Sequence, residues 1–204
     1  MKKRFEVSLT KKNYQKLIGR TNFLSSNRTN IILLCIFLYQ DSELSEDRIN
    51  EQLEKIKEDN EKESFYFMAL PYIQNIFKHK KRYFFSLDEY VSAFLSAILE
   101  EEEANWEELE KKQPKTTSIY SIDKDLVDWL GKFSEKTGIS QTTLLNYSFM
   151  NPIQFEPYIV GIKNKVRKGV YLTQSNFERF KGVETAKRPS IVEEQIKALK
   201  TLTK

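Results

Sequence analysis

Near the start of the chain Arg4, Glu6 and Ser8 alternate with Phe5, Val7 and Leu9. Successive side chains of an extended segment point to opposite faces, so the apolar three share one face and the polar three the other. The polar face offers a forked donor, an acceptor and a hydroxyl that does both. Such a set is equipped for hydrogen-bond recognition rather than for bond making. Lys2 and Lys3 place two ammonium groups beside it. Asn27, Arg28 and Thr29 stand at a predicted helix start, where free backbone N–H groups and the helix dipole favour an anion.

Groups that move protons, electrons or metals are scarce. His79 is the sole histidine, set in the basic run Lys78 to Arg82, and reads as a solvated loop residue. There is no Ser/His/Asp set, metal-ligand cluster or phosphate-cradling loop, and only 6 glycines occur. Tyrosines are plentiful, but none groups with an Arg/His constellation, and Glu100 to Glu103 reads as a solvated helix face. Cys35 is alone inside the apolar run Ile31 to Leu38, which suits a buried, inert thiol and excludes an intrachain disulfide. The expectation is a protein that is not an enzyme and needs no cofactor or metal.

Charge is distributed unevenly. Residues 1–39 hold eight Lys/Arg against Glu6 alone, and residues 160–204 hold eleven against four Glu, while the middle is acidic. Two basic ends suggest localised contacts with an anionic partner. The apolar run is shorter than the about 20 residues that span a bilayer, and it lies behind several charges, unlike a signal peptide. The simplest expectation is a cytoplasmic protein with no membrane partner.

The elements that must position these residues follow a repeating pattern. Residues 1–39 read as a strand through Leu9, a helix capped by Thr10, and a second helix from Arg28 capped by Asn27. After the linker Gln113-Pro114-Lys115 the pattern returns. Ser118 to Ile122 is a strand and Asp123 caps a helix closed by Gly138, a residue suited to the left-handed position; Ser140 starts another helix. A weaker copy has the strand Val170 to Leu172, a helix from Gln174 to Ala186, and Ser190 opening a last helix. Eighteen residues separate Leu9 from Asn27, Ile122 from Ser140, and Leu172 from Ser190. Three such units with one spacing are an internal repeat. Residues 40–112 read as a mostly helical middle segment, with a possible short strand at Tyr83 to Leu87. The fold class is therefore mainly α with short β-ribbons, divided into 1–39, 40–112, and a tandem pair at 116–150 and 167–203.

This pattern resembles the ribbon-helix-helix superfamily of Arc and MetJ type, and residues 1–39 are similar to small plasmid copy-number repressors. The resemblance covers about half of the chain. It implies that paired strands form an antiparallel ribbon that enters the major groove of double-stranded DNA. Arg4 would then grip guanine, Glu6 would accept from cytosine N4 and Ser8 would adapt, while Asn27, Arg28 and Thr29 hold a phosphate. In the second unit Thr117, Ile119 and Ser121 would face outward, with Ile119 limited to a thymine methyl, and Ser140, Gln141 and Thr142 near phosphate. The third would present Arg167, Gly169 and Tyr171, with Ser190 at its helix start, and Lys168 falls where an inward apolar residue belongs. Three half-units leave one strand without a mate. The expected arrangement pairs units two and three within the chain and pairs unit one across a homodimer, the alternative being unit two pairing with its own copy. Two functions follow: a transcriptional repressor of a plasmid or mobile element, or a DNA-processing accessory factor, either an accessory protein of a conjugative relaxosome or a centromere-binding segregation protein. An assembly factor that has lost DNA binding is the third class. The middle segment, 40–112, is the expected site for a protein partner.

Overall fold

The computed structural model describes residues 2–78, 85–101, 109–150 and 153–202. The described residues are mainly helical, with two two-stranded antiparallel sheets among them. The first half runs β1 (Lys3–Leu9), α1 (Lys11–Phe23), α2 (Arg28–Leu38), α3 (Glu46–Glu58), β2 (Glu63–Ala69), α4 (Pro71–Lys78) and α5 (Leu87–Glu101). Thr10 Oγ1 accepts the Asn13 N–H at 3.2 Å and Asn27 Oδ1 accepts the Asn30 N–H at 2.9 Å, so both expected caps form.

β1 finds its partner inside the chain. It pairs with β2 in the register Arg4 to Met68, Phe5 to Phe67, Glu6 to Tyr66, Val7 to Phe65 and Ser8 to Ser64. The mostly helical middle segment supplies this strand, which the sequence reading did not place. One expectation is corrected by the pairing: unit one does not need a homodimer to complete its ribbon. The physical reason is the inward set Phe65, Phe67 and Ala69, all buried, with the Phe67 ring stacked 5.3 Å from Phe5. Leu70, with Pro71 at the first position of α4, then turns the chain into a helix. Tyr83 and Phe84 of the expected short strand lie outside the described residues, and Leu87 begins α5.

The second half runs β3 (Lys115–Asp123), α6 (Lys124–Thr137), α7 (Gln141–Met150), β4 (Lys165–Thr173), α8 (Gln174–Glu178), a 3-10 turn (Thr185–Lys187) and α9 (Arg188–Thr201). β3 pairs with β4, placing Thr117 opposite Tyr171, Ile119 opposite Gly169 and Ser121 opposite Arg167. Gly138 follows α6 with φ +79°, and Ser25 follows α1 with φ +47°, each the same distance past Leu9 or Ile122. The third expected helix is corrected. α8 stops at Glu178, ahead of Gly182, and Arg188 turns back to donate to the carbonyls of Val183 (2.9 Å) and Lys181 (2.7 Å). α9 thus starts at Arg188, two residues before Ser190.

Four strand–helix–helix units are therefore present among the described residues, and they interlock in pairs. The second helix of each lies against the strand of its mate: α5 on β1, α2 on β2, α7 on β4 and α9 on β3. Ser8 N–H donates to Ser92 Oγ (3.1 Å), Thr173 N–H to Asn146 Oδ1 (2.7 Å) and Asp123 N–H to Glu193 Oε1 (2.7 Å). α3 is an insertion between the first pair of units. Ser45 caps it, and Arg48, Gln52 and Lys55 hold it to Glu100 of α5. The halves join where α2 meets α7 and α4 meets α6, with Phe37 edge-on to Phe133 at 5.1 Å, in one continuous core. No helix among the described residues is long and apolar enough to cross a membrane.

Candidate nucleic-acid interface

Each ribbon buries one face and exposes the other, because its inward residues enter the shared core. On the first, Arg4 and Glu6 are exposed and Ser8 is half-buried, beside the outward Ser64, Tyr66 and Met68 of β2. The Arg4 guanidinium lies 3.5 Å over the Tyr66 ring, a stacked cation–π contact that holds the fork on the outer face. Ser8 and Ser64 share a hydrogen bond of 2.7 Å. Lys2 is exposed, and Lys3 Nζ sits 5.0 Å from the Phe5 ring at the ribbon's open end.

On the second ribbon Thr117, Ile119, Ser121, Arg167, Gly169 and Tyr171 are all exposed. Ile119 faces a glycine across the strands, so its side chain stands proud with 62 % of its surface exposed. Lys168 occupies an inward position, and its Nζ donates to Gln141 Oε1 at 2.6 Å. Gln141 is thus engaged by the ribbon beside it.

The four second helices differ at their starts. α2 and α7 converge: Ser140 N–H donates to Asn30 Oδ1 (2.8 Å), and the hydroxyls of Ser26 and Thr143 meet at 2.6 Å. Between them lies a cleft of about 350 Å³ lined by Asn27, Ser140, Thr142, Lys112 and Lys115, with no carboxylate among its described lining residues. Burial, and then the neighbouring Lys112 ammonium, hold the Lys115 pKa below the usual lysine value. An anion in the cleft would relieve that crowding. Thr29 is half-buried in the first turn of α2. Arg28 lies beneath the first ribbon, 4.3 Å from the Phe65 ring, and donates to Tyr14 Oη at 3.0 Å. Packing and charge are joined in that residue.

The other two starts are closed to an anion. At α5, Ser86 and Glu89 cap each other, Glu89 N–H to Ser86 Oγ at 3.2 Å and Ser86 N–H to Glu89 Oε2 at 2.7 Å, with Asp88 alongside. At α9, Ser190 is fully buried: its Oγ accepts the Tyr158 N–H at 3.1 Å and donates to the Lys187 carbonyl at 2.7 Å. Ser190 stands in the first turn of α9 but is not accessible, a correction that follows from the segment around Tyr158 crossing over it.

Sequence reasoning missed Ser64, Tyr66 and Met68, which complete the first face, and Lys112 and Lys115, which line the cleft. β2 hides because Tyr66 and Met68 face outward, so its alternation of polar and apolar residues is lost. The signal it does leave is Phe65, Phe67 and Ala69 at every second position just ahead of a helix-starting proline. Among the described residues no group of three or more His, Cys, Asp or Glu could hold a metal ion. His79 lies outside them. No protein-family model, curated protein or solved structure matches the chain.

Proposed function

We propose that the chain is a sequence-specific double-stranded DNA-binding protein of ribbon-helix-helix type that reads the major groove with paired strands, as a transcriptional repressor of a plasmid or mobile element. The observation that carries this reading is the first ribbon. Its inner face is wholly committed to the core, while its outer face keeps Arg4, Glu6 and Ser8 available beside Tyr66. A two-stranded ribbon fits the major groove, where a guanidinium pairs with guanine O6 and N7 and a carboxylate accepts from cytosine N4. The cleft of Lys112 and Lys115 between α2 and α7 suits a phosphate of the same duplex.

Footprinting on the protein's own genomic neighbourhood, followed by titration of the protected duplex, tests the reading. Arg4→Ala is expected to relax base preference and cost about 1–3 kcal/mol on the specific site, while Lys112→Ala in the cleft weakens all sequences alike. Failure to retain any duplex at low salt, or equal loss of specific and non-specific binding by Arg4→Ala, refutes it. A second reading, an accessory factor of a DNA-processing complex, draws on the two ribbons being fixed in one chain, an arrangement fitted to an extended site. Protection at a transfer origin or centromere-like repeats, rather than at the gene's own promoter, selects it.

A further inference from the structure

We infer that one copy of this chain recognises a composite, non-palindromic duplex site made of two unlike segments, each anchored off-centre by a single arginine. The inference rests on the DNA-binding reading above and concerns the form of the target. A ribbon built from two copies of one strand repeats the same outward residues in opposite order, so its binding site mirrors the two-fold symmetry of the protein. Neither ribbon here has that symmetry. In the first, Arg4 faces Met68 and Glu6 faces Tyr66; in the second, Ser121 faces Arg167 and Ile119 faces Gly169.

Each ribbon carries one outward arginine, and the two occupy the same station. Arg4 lies six residues before Thr10 and Arg167 six before Thr173, the residues ahead of α1 and α8. The strand opposite has a hydroxyl there, Ser64 or Thr117, which cannot make the bidentate contact of a guanidinium. Beyond the arginines the faces diverge. Glu6 offers an acceptor where the second ribbon has Gly169, and the second ribbon instead projects Ile119, an apolar group suited to a thymine methyl.

A two-fold exchanging the halves would not restore a palindrome either, because it would bring unlike faces together: Arg4, Glu6, Ser64, Tyr66 and Met68 on one ribbon, Thr117, Ile119, Ser121, Arg167 and Tyr171 on the other. Like faces are therefore absent both within each ribbon and between them, while both ribbons belong to one continuous core.

Selection of duplexes from a random-sequence library by the full chain, with native mass spectrometry of the selected complex, tests this. The expected result is a non-palindromic motif of two segments at fixed spacing, bound by one chain per duplex. Arg4→Ala then lowers guanine preference about tenfold in one segment only, and Ile119→Asn erodes thymine preference in the other only. A palindromic motif, two chains on one site, or both variants acting on the same base pairs overturns the inference while leaving DNA binding intact. Retention of no duplex at low salt overturns both.

Discussion

Replacing Tyr66 with leucine isolates what the stacked arginine contributes. The Tyr66 side chain is half exposed, and its ring lies 3.5 Å beneath the Arg4 guanidinium on the outer face of the first ribbon. Leucine keeps a bulky apolar group on the strand, so folding stability should change by less than about 0.5 kcal/mol, as for most surface substitutions. What is lost is the platform. An exposed cation–π contact is worth about 0.5–1 kcal/mol, and an arginine released to solvent must be ordered again on binding, at about 0.5–1.5 kcal/mol. Arg4 gives up the ring contact only in part when it engages a base, so the net loss is about 1 kcal/mol, or about fivefold in Kd. Fluorescence anisotropy with the footprinted duplex and a scrambled duplex of equal length measures it. The loss should appear on the specific duplex alone, and in the Arg4→Ala background Tyr66→Leu should have little further effect. Equal weakening on both duplexes, or additivity within about 0.3 kcal/mol in the double-mutant cycle, refutes the idea that Tyr66 acts through Arg4.

Removing Lys112 and Lys115 together should reduce the slope of log affinity against log salt by about 2 while leaving base preference unchanged, read from titrations at several salt concentrations. Ser25→Gly should stabilise the protein by about 0.5–1 kcal/mol because Ser25 holds a positive φ of 47°. Gly138→Ala should destabilise by about 1–2 kcal/mol, since φ is +79° and the new methyl would meet Leu70 Cδ1 at 3.3 Å; urea midpoints report both. Glu193→Ala strips the acceptor from Asp123 N–H and from Lys165 Nζ, 2.6 Å away, and should cost about 3 kcal/mol, an unchanged urea midpoint being the contrary result. Burial raises the Glu100 pKa, but hydrogen bonds from Gln52 and Lys55 and the charges of Lys55 and Arg48 outweigh it and place it below 4.5. A depressed carboxyl pKa stabilises the fold above the unfolded value and loses that contribution as pH falls through the folded one. Glu100→Gln should therefore cost stability at pH 7 and flatten the acid limb below about pH 4.5, as followed by urea unfolding across that range.

Much of the architecture was legible where local chemistry is self-contained. Thr10, Asn27 and Asp123 each cap the helix that follows, because a short polar side chain can reach the free N–H groups of the first turn without help from elsewhere. The outward residues of β1, β3 and β4 were readable from alternation. β2 was not: its outward Tyr66 and Met68 resemble core residues, and only the pairing with β1 shows which face they occupy. Ser190 carried the expected spacing yet lies inside α9, because Arg188 begins that helix earlier and the segment around Tyr158 covers it.

The sequence by itself determined the units that begin at β1 and β3: strands with one apolar face and helices with capped starts, set by contacts within a few residues. Which strand mates with which was decided only by the tertiary structure. A lone strand exposes unpaired N–H and C=O groups along both edges and will accept any partner whose inward side chains fill the core. Phe65 and Phe67 supply that filling against Phe5 and Val7 inside the same chain. That packing turns an apparent homodimer element into one of two unlike ribbons, and it sets which residues share each outer face.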